Sequence, residues 1–154
     1  MTPFDAAISE NPLYAQAYFY GINYQKVIKY TATYRCHADY LIRPEDEFID
    51  VEGARFKILR LSGHTVEHLG FVTPDSVAYL ADALLSDHVL ESVRIPYCIS
   101  CALDLDTKER IGEMNYDSYI VAHNGVYENI GALVKRNIDN ILSKEIGRAS
   151  CRER

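Results

Sequence analysis

Three residues of the types that bind metal ions stand just after short apolar runs. His64 lies in GHTVEH, Asp82 in YLADAL and His123 in VAHNG. Imidazole nitrogen and carboxylate oxygen are the donor atoms that a borderline cation such as Zn²⁺ takes. If the three side chains come together, they supply part of a metal site.

The apolar runs before these residues predict the strands that would position them. They are RFKILRL (55–61), SVAYLA (76–81) and SYIVA (118–122). Runs of this length bounded by turn residues are typical of strands, and SYIVA predicts a strand buried on both faces. Strands that lie side by side would gather the residues after their ends at one edge of a sheet.

Two turn signals predict hairpins around the same strands. Glu52-Gly53-Ala54 separates FIDV from RFKILRL, and glycine adopts positive φ at little cost. Pro74-Asp75 separates LGFVT from SVAYLA and is a typical turn pair. The predicted result is a small antiparallel or mixed sheet.

Helical patterns surround the sheet and give an α/β fold class. The segment 11–30 carries aromatic residues at near-helical spacing, with Gly21 as its predicted C-cap. Segment 106–115 predicts a helix with Asp106 as N-cap and Glu109 completing a capping-box pattern. Segment 126–144 has apolar residues three and four apart, which predicts a long amphipathic helix.

The three motifs, in this order, resemble those of the metallo-β-lactamase-fold hydrolases. That family has GHT-x-x-H after one strand, a Gly-Asp pair after the next and a Gly-His-Gly-like turn later; here GHTVEH, ADA and AHNG stand in those places. The family's HxHxDH motif is absent, and the one histidine before the first motif is His37. The resemblance implies a partial αββα sandwich, about one half of the four-layer fold, over residues 1–144.

The resemblance also implies roles for the three residues. His64 would bind a first metal ion, Asp82 would bridge two metal ions, and His123 would bind the second. The expected metal is Zn²⁺, two per intact site, with iron as a possibility. Simpler interpretations stay open: a loop histidine bonded to backbone for His64, and a helix N-cap for Asp82. Ala81 stands where the family usually has glycine.

The function implied is hydrolysis of a small ester or thioester substrate by a metal-activated hydroxide, as in hydroxyacylglutathione hydrolase-like enzymes. Asn124 and Tyr127 are candidate substrate contacts, with solvent exposure at a helix start as the alternative. Without HxHxDH we expect this chain alone to be inactive. The alternatives are an iron-dependent oxidoreductase of the sulfur dioxygenase or flavodiiron type, and a non-catalytic or nucleic-acid-processing relative.

The last ten residues, EIGRASCRER (145–154), differ in character from the rest of the chain. They have no apolar period and resemble an in-frame translation of a sequencing adapter. We therefore expect a non-native tail; the alternative is a natural basic tail.

Composition limits the partners. The 154 residues carry a formal charge of −6, which argues against nucleic-acid binding because phosphate contacts need clustered Lys and Arg. No apolar run approaches the roughly 18 residues of a membrane span. No signal peptide is visible, and the expected location is cytoplasmic, although a missing N-terminal half would hide such a segment.

Cys98 and Cys101 form a lone CxxC motif, CISC. A zinc half-site or a redox pair are the functional interpretations. Without a second CxxC, the pattern favours two reduced, partly buried thiols in a loop.

Overall fold

The computed structural model of the protein describes residues 1–11, 36–93 and 96–152. The chain forms two compact units, Met1–Asp46 and Glu47–Arg154. In the first unit, helix α1 (Pro3–Glu10) begins after Thr2, whose hydroxyl accepts the Asp5 N–H at 3.1 Å. The aromatic helix predicted over 11–30 lies outside the described residues except at its first position.

The second unit contains a six-stranded sheet with the strands in chain order. The strands are β1 (Phe48–Val51), β2 (Ala54–Arg60), β3 (Leu69–Val72), β4 (Val77–Ala81), β5 (Ser118–Val121) and β6 (Gly125–Tyr127). All neighbouring pairs are antiparallel except β4 and β5, which are parallel. A parallel pair needs a crossover connection, and the helical segment between β4 and β5 provides it.

Both predicted hairpins are present. Glu52 and Gly53, with φ of 50° and 84°, join β1 to β2, as expected for a two-residue turn with two left-handed positions. The turn between β3 and β4 contains Pro74 and Asp75, and ends at Ser76 with φ of 64°. These hairpins fix the register between β1 and β2 and between β3 and β4.

The helices of this unit differ in their limits from the sequence predictions. They are α2 (Asp87–Ser92), α3 (Cys101–Gly112) and α4 (Gly131–Arg152). The prediction that Asp106 caps a helix is wrong: α3 begins five residues earlier, and Ser100 Oγ accepts the Leu103 N–H at 3.4 Å. The prediction that a helix begins at Val126 is also wrong, because this residue lies in β6.

Helices α3 and α4 pack on one face of the sheet. Residues of that face alternate along each strand, as in Ala78 and Leu80 of β4 and Tyr119 and Val121 of β5. The core cluster joins them to side chains from α3 and α4, among them Ile111 and Leu133. Among the described residues, no helix is both long and apolar enough to cross a membrane.

The other face of the sheet carries an exposed apolar row. Tyr79, Ile120 and Val126 are direct cross-strand neighbours on β4, β5 and β6, and their side chains are 42%, 36% and 74% exposed. The prediction that SYIVA is buried on both faces is therefore wrong for Ile120. A sheet face of this kind is suited to packing against a second layer.

Candidate metal site

The strand directions bring the three candidate ligands to one edge of the sheet. Strands β2 and β4 are both antiparallel to β3, which lies between them, and β5 is parallel to β4. Strands β2, β4 and β5 therefore end at the same edge. His64, Asp82 and His123 follow these three ends along the chain.

Asp82 and His123 are in direct contact. His123 Nε2 lies 3.2 Å from Asp82 Oδ1. In a tetrahedral Zn²⁺ site with bonds of about 2.0–2.2 Å, two donor atoms lie roughly 3.3–3.6 Å apart. The two side chains are thus near the spacing at which both would bind one cation, and each is accessible from solvent.

Backbone contacts hold the two turns that carry this pair. The Ala122 N–H donates to the Ala81 carbonyl at 2.9 Å, which ties together the residues directly before the two side chains. The Ser86 hydroxyl donates to the His123 carbonyl at 3.0 Å. The contact between Asp82 and His123 is therefore built on a fixed backbone.

His64 occupies the third turn and is oriented by the segment that precedes α3. Its Nδ1 lies 3.1 Å from the Tyr97 carbonyl oxygen, and its ring contacts the Tyr97 ring edge-on at 5.3 Å. A carbonyl oxygen can only accept, so Nδ1 is the donor in this contact, and in the neutral ring Nε2 is then the nitrogen with the free lone pair, as in metal-binding histidines.

The fit to a metal ion is good in donor chemistry and partial in geometry. Among the described residues, no group of three or more His, Cys, Asp or Glu side chains is arranged to hold a metal ion. Asp82 and His123 offer two donors, and His64 lies at the same edge but contacts Tyr97 and His68 instead. The ligand roles of all three residues remain predictions.

His68 belongs to this site, although the sequence analysis leaves it out of the ligand set. Burial and the neighbouring His64 lower the pKa of His68 to about 4, while the Asp82 carboxylate opposes the shift. Its Nδ1 lies 3.3 Å from Thr65 Oγ1, and its Nε2 is buried without a hydrogen-bond partner in the described structure. His68 is therefore neutral at pH 7, with one ring nitrogen unsatisfied. In the sequence, the signal that could have identified His68 is its position as the last residue of the GHTVEH motif.

The helix N-cap interpretation of Asp82 is wrong. Asp82 lies in a turn, and the next helix, α2, begins at Asp87 after Ser86 as its N-cap residue. Loss of this alternative leaves the carboxylate without a helix-capping function.

The two candidate substrate contacts lie beyond His123. Asn124 is exposed and has φ of 70°, the left-handed conformation expected for it; His123 shares that conformation with φ of 61°. Tyr127 lies in β6, not at a helix start, and its hydroxyl accepts the Asp87 N–H at 3.2 Å. Contact with substrate stays a prediction for both.

A buried polar cluster on α3 forms hydrogen bonds to the turns that carry Asp82 and His64. Lys108 Nζ donates to Asp104 Oδ1 at 2.7 Å and to the Ala83 carbonyl at 2.9 Å. Burial lowers the pKa of Lys108, and the Asp104 carboxylate opposes that shift. The Thr107 hydroxyl donates to the Ser62 carbonyl at 2.6 Å. These contacts anchor the turns next to Asp82 and His64 to one helix.

Asn137 of α4 completes this support. Its side-chain amide accepts the Leu85 N–H at 2.9 Å and donates to the Leu85 carbonyl at 3.0 Å. It is 2% exposed. The turn that carries Asp82 is thus bonded to both α3 and α4.

We expect Ala81→Gly to stabilise the protein. Ala81 has φ of 49°, a conformation that costs an L-residue about 1–2 kcal/mol, whereas glycine loses roughly 0.5–1 kcal/mol more backbone entropy on folding. The expected net gain is about 0.5 kcal/mol in the free energy of unfolding, measured by urea denaturation. Ala78→Gly, in the core of the same strand, is the control and should destabilise; an equal loss at Ala81 would contradict the assignment.

Solved structures with the same fold were found by comparison. A metallo-beta-lactamase family protein from Thermus thermophilus is 15% identical, with a TM-score of 0.59 over 92% of this chain and 47% of that one. A metallo-beta-lactamase from Pontibacter korlensis is 9% identical, with a TM-score of 0.55 over 75% of this chain and 54% of that one. The protein TTHA1623, solved in a di-iron-bound form, is 18% identical, with a TM-score of 0.51 over 89% and 61%.

No protein-family model and no curated protein matches the chain. The chain spans about half the length of the structures it resembles. Its helices on one face of a six-stranded sheet, and the exposed apolar row on the other, agree with one half of an αββα sandwich. The chain therefore has a partial metallo-β-lactamase fold.

Proposed function

We propose that this chain is part of a metal-dependent hydrolase acting on a small ester or thioester, with His64, Asp82 and His123 as metal ligands. The observation that carries the proposal is the 3.2 Å contact between Asp82 Oδ1 and His123 Nε2 at the edge where β4 and β5 end. A divalent metal ion, when bound, supplies a hydroxide at neutral pH by lowering the pKa of water to about 7.

The chain's own residues contribute orientation and charge. Asp82 provides a carboxylate with two oxygens, which suits a site of two cations, and His123 adds an imidazole nitrogen. The hydrogen bond from His64 Nδ1 to the Tyr97 carbonyl directs the His64 Nε2 away from this backbone. Remaining ligands would come from the family's HxHxDH motif, which this sequence does not contain.

The first test is metal binding by this chain. Zn²⁺ is titrated into the purified protein by calorimetry, and into the Asp82→Asn and His123→Ala variants. Asn keeps the size of Asp but removes the charge, so we expect each variant to bind at least tenfold more weakly. His37→Ala, which removes an exposed histidine of the first unit, is the matched control and should bind as the parent does. Binding unaffected by Asp82→Asn would overturn the ligand assignment.

The second test is activity of the longest product of the gene. If it carries the missing ligands, Asp82→Asn should lower the rate on a generic thioester and reduce bound metal from two ions towards one. Thermal unfolding of the variant should stay close to the parent's. Full activity and full metal content in Asp82→Asn would contradict a bridging role.

An iron-dependent oxidoreductase is the second candidate. It is supported by the neighbour solved in a di-iron-bound form, which shares the fold with this chain. The two candidates differ in metal content and reaction, so elemental analysis of the purified gene product, with oxygen consumption beside thioester cleavage, separates them.

A further inference from the structure

The two cysteines of CISC are placed for chemistry with each other. Cys98 Sγ lies 3.4 Å from Cys101 Sγ, within contact distance. Cys101 is the first residue of α3, which corrects the expectation that both thiols lie in a loop. A sulfur at the first position of a helix lies beside the positive end of the helix dipole.

The same segment is bonded to the turn that carries His64. The Ile99 N–H donates to the Gly63 carbonyl at 2.9 Å, and the Ser100 N–H donates to the same oxygen at 3.3 Å. The Tyr97 carbonyl is the partner of His64 Nδ1 at 3.1 Å. Every residue from 97 to 101 is thus either one of the two thiols or a direct contact of this turn.

We propose that Cys98 and Cys101 form a redox-active dithiol that closes to an intramolecular disulfide by exchange with a small-molecule disulfide, and that closure is transmitted to His64. Closure draws the sulfurs from 3.4 Å to the roughly 2.05 Å of a disulfide and imposes the bond's specific dihedral geometry on both residues, which constrains the backbone between them. That backbone includes Ile99 and Ser100, whose amides hold the Gly63 carbonyl. Neither part of the proposal depends on a metal-binding role for His64.

The exchange is a balanced two-electron reaction. The Cys101 thiolate attacks one sulfur of the small disulfide, forms a mixed disulfide and releases one thiolate, which takes up a proton. Cys98 then loses its proton and attacks the Cys101 sulfur, which closes the protein disulfide and releases the second thiol. Two cysteine thiols are oxidised and one small disulfide is reduced to two thiols. Burial, with the Cys101 contact, raises the pKa of Cys98 to about 12, so Cys98 suits the second role.

The first measurement is closure in glutathione buffers. The full chain is used with Cys36→Ser and Cys151→Ser, so that the other two thiols do not react. After acid quenching and alkylation, intact-mass analysis should show a protein that has lost two hydrogen atoms and carries neither glutathione nor alkyl groups. A parent that keeps both thiols alkylatable, or that retains a glutathione adduct without closing, would overturn the proposal.

Two variants show which sulfur attacks the small disulfide and which one closes the protein disulfide. Cys98→Ser should stop at a mixed disulfide with one glutathione on Cys101. Cys101→Ser should react with glutathione disulfide at least tenfold more slowly than Cys98→Ser, because partial burial raises the pKa of Cys98 and keeps its thiol protonated. The reverse order of rates would overturn the assignment of Cys101 as the attacking sulfur.

The second measurement tests transmission to the turn. Imidazole C–H resonances of the reduced and closed forms are compared by NMR, with His37 of the first unit as the internal control. We expect the His64 resonances to shift on closure and the His37 resonances to stay in place. Closure that leaves His64 unchanged would overturn the coupling. Zn²⁺ is omitted from these samples, so the result is independent of metal binding.

Discussion

Lys108→Met should destabilise the protein by about 3–5 kcal/mol, because it leaves a buried carboxylate without a partner. Lys108 and Asp104 are 4% and 3% exposed, and their charged atoms are 2.7 Å apart. The substitution also removes the hydrogen bond to the Ala83 carbonyl. Against a total stability of about 5–15 kcal/mol for an ordinary domain, this loss should be visible as a large shift in the urea midpoint.

The same helix offers a matched control. Asp106 and Arg110 form an ion pair with the same i, i+4 spacing at 3.0 Å, but their side chains are 64% and 45% exposed. Asp106→Asn should cost about 0–0.5 kcal/mol, since solvent screens an exposed pair. The comparison isolates burial as the cause of the larger effect.

A double variant separates the charge from the packing. Asp104→Asn with Lys108→Met removes both charges while nearly conserving volume, and should recover most of the loss caused by Lys108→Met alone. Losses that simply add in the double variant would mean that the two groups stabilise the fold independently.

Strands and turns were readable from the sequence because their signals are local. The runs before His64, Asp82 and His123 form β2, β4 and β5, and the two hairpin turns stand where Gly53 and Pro74 predict them. The shared edge of the three candidate ligands follows from strand order and direction. The order of the three motifs along the chain was enough to predict the fold that this chain shares with the solved structures.

Helix limits were harder to predict because they depend on distant partners. The first turn of α3 contains Cys101 and Asp104, and the sequence has no apolar period there that would predict a helix. Val126 fits the helical spacing of the residues after it, yet it lies in β6 and pairs with Ile120 of β5. A three-residue strand leaves no periodicity of its own.

The polar support of the site could not be predicted for a related reason. In the sequence, the predicted helix begins at Asp106, so the pattern does not place Asp104 on the same helix as Lys108. Only tertiary structure shows that they are buried beside Ala83 and that Asn137 reaches Leu85. Spacing along the sequence indicates which residues can be neighbours on a helix, whereas burial determines how much their contact contributes to the stability of the fold.

Gly63→Ala should be the most damaging single methyl addition tested in the turn that carries His64. Gly63 has φ of 142°, and a Cβ built there would lie 2.4 Å from the Asp104 Cα and 2.7 Å from its backbone nitrogen. Backbone atoms inside a helix cannot move aside as a flexible side chain can. Overpacking costs typically 1–3 kcal/mol and a strained backbone about 1–3 kcal/mol, so a loss of roughly 2–6 kcal/mol is expected in urea denaturation.

Gly53→Ala separates the two causes. Gly53 also has positive φ, at 84°, but a Cβ there would meet nothing within 4 Å, so this variant carries the backbone cost alone, about 1–2 kcal/mol. The excess loss in Gly63→Ala then measures the contact between the turn and α3. Equal losses in the two variants would mean that the helix yields, and that α3 does not fix the position of His64. Gly63→Ala should lose more stability than Gly53→Ala by at least about 1 kcal/mol, the lower end of the usual overpacking cost. Such a difference would mean that the packing of Gly63 on Asp104 determines the position of His64.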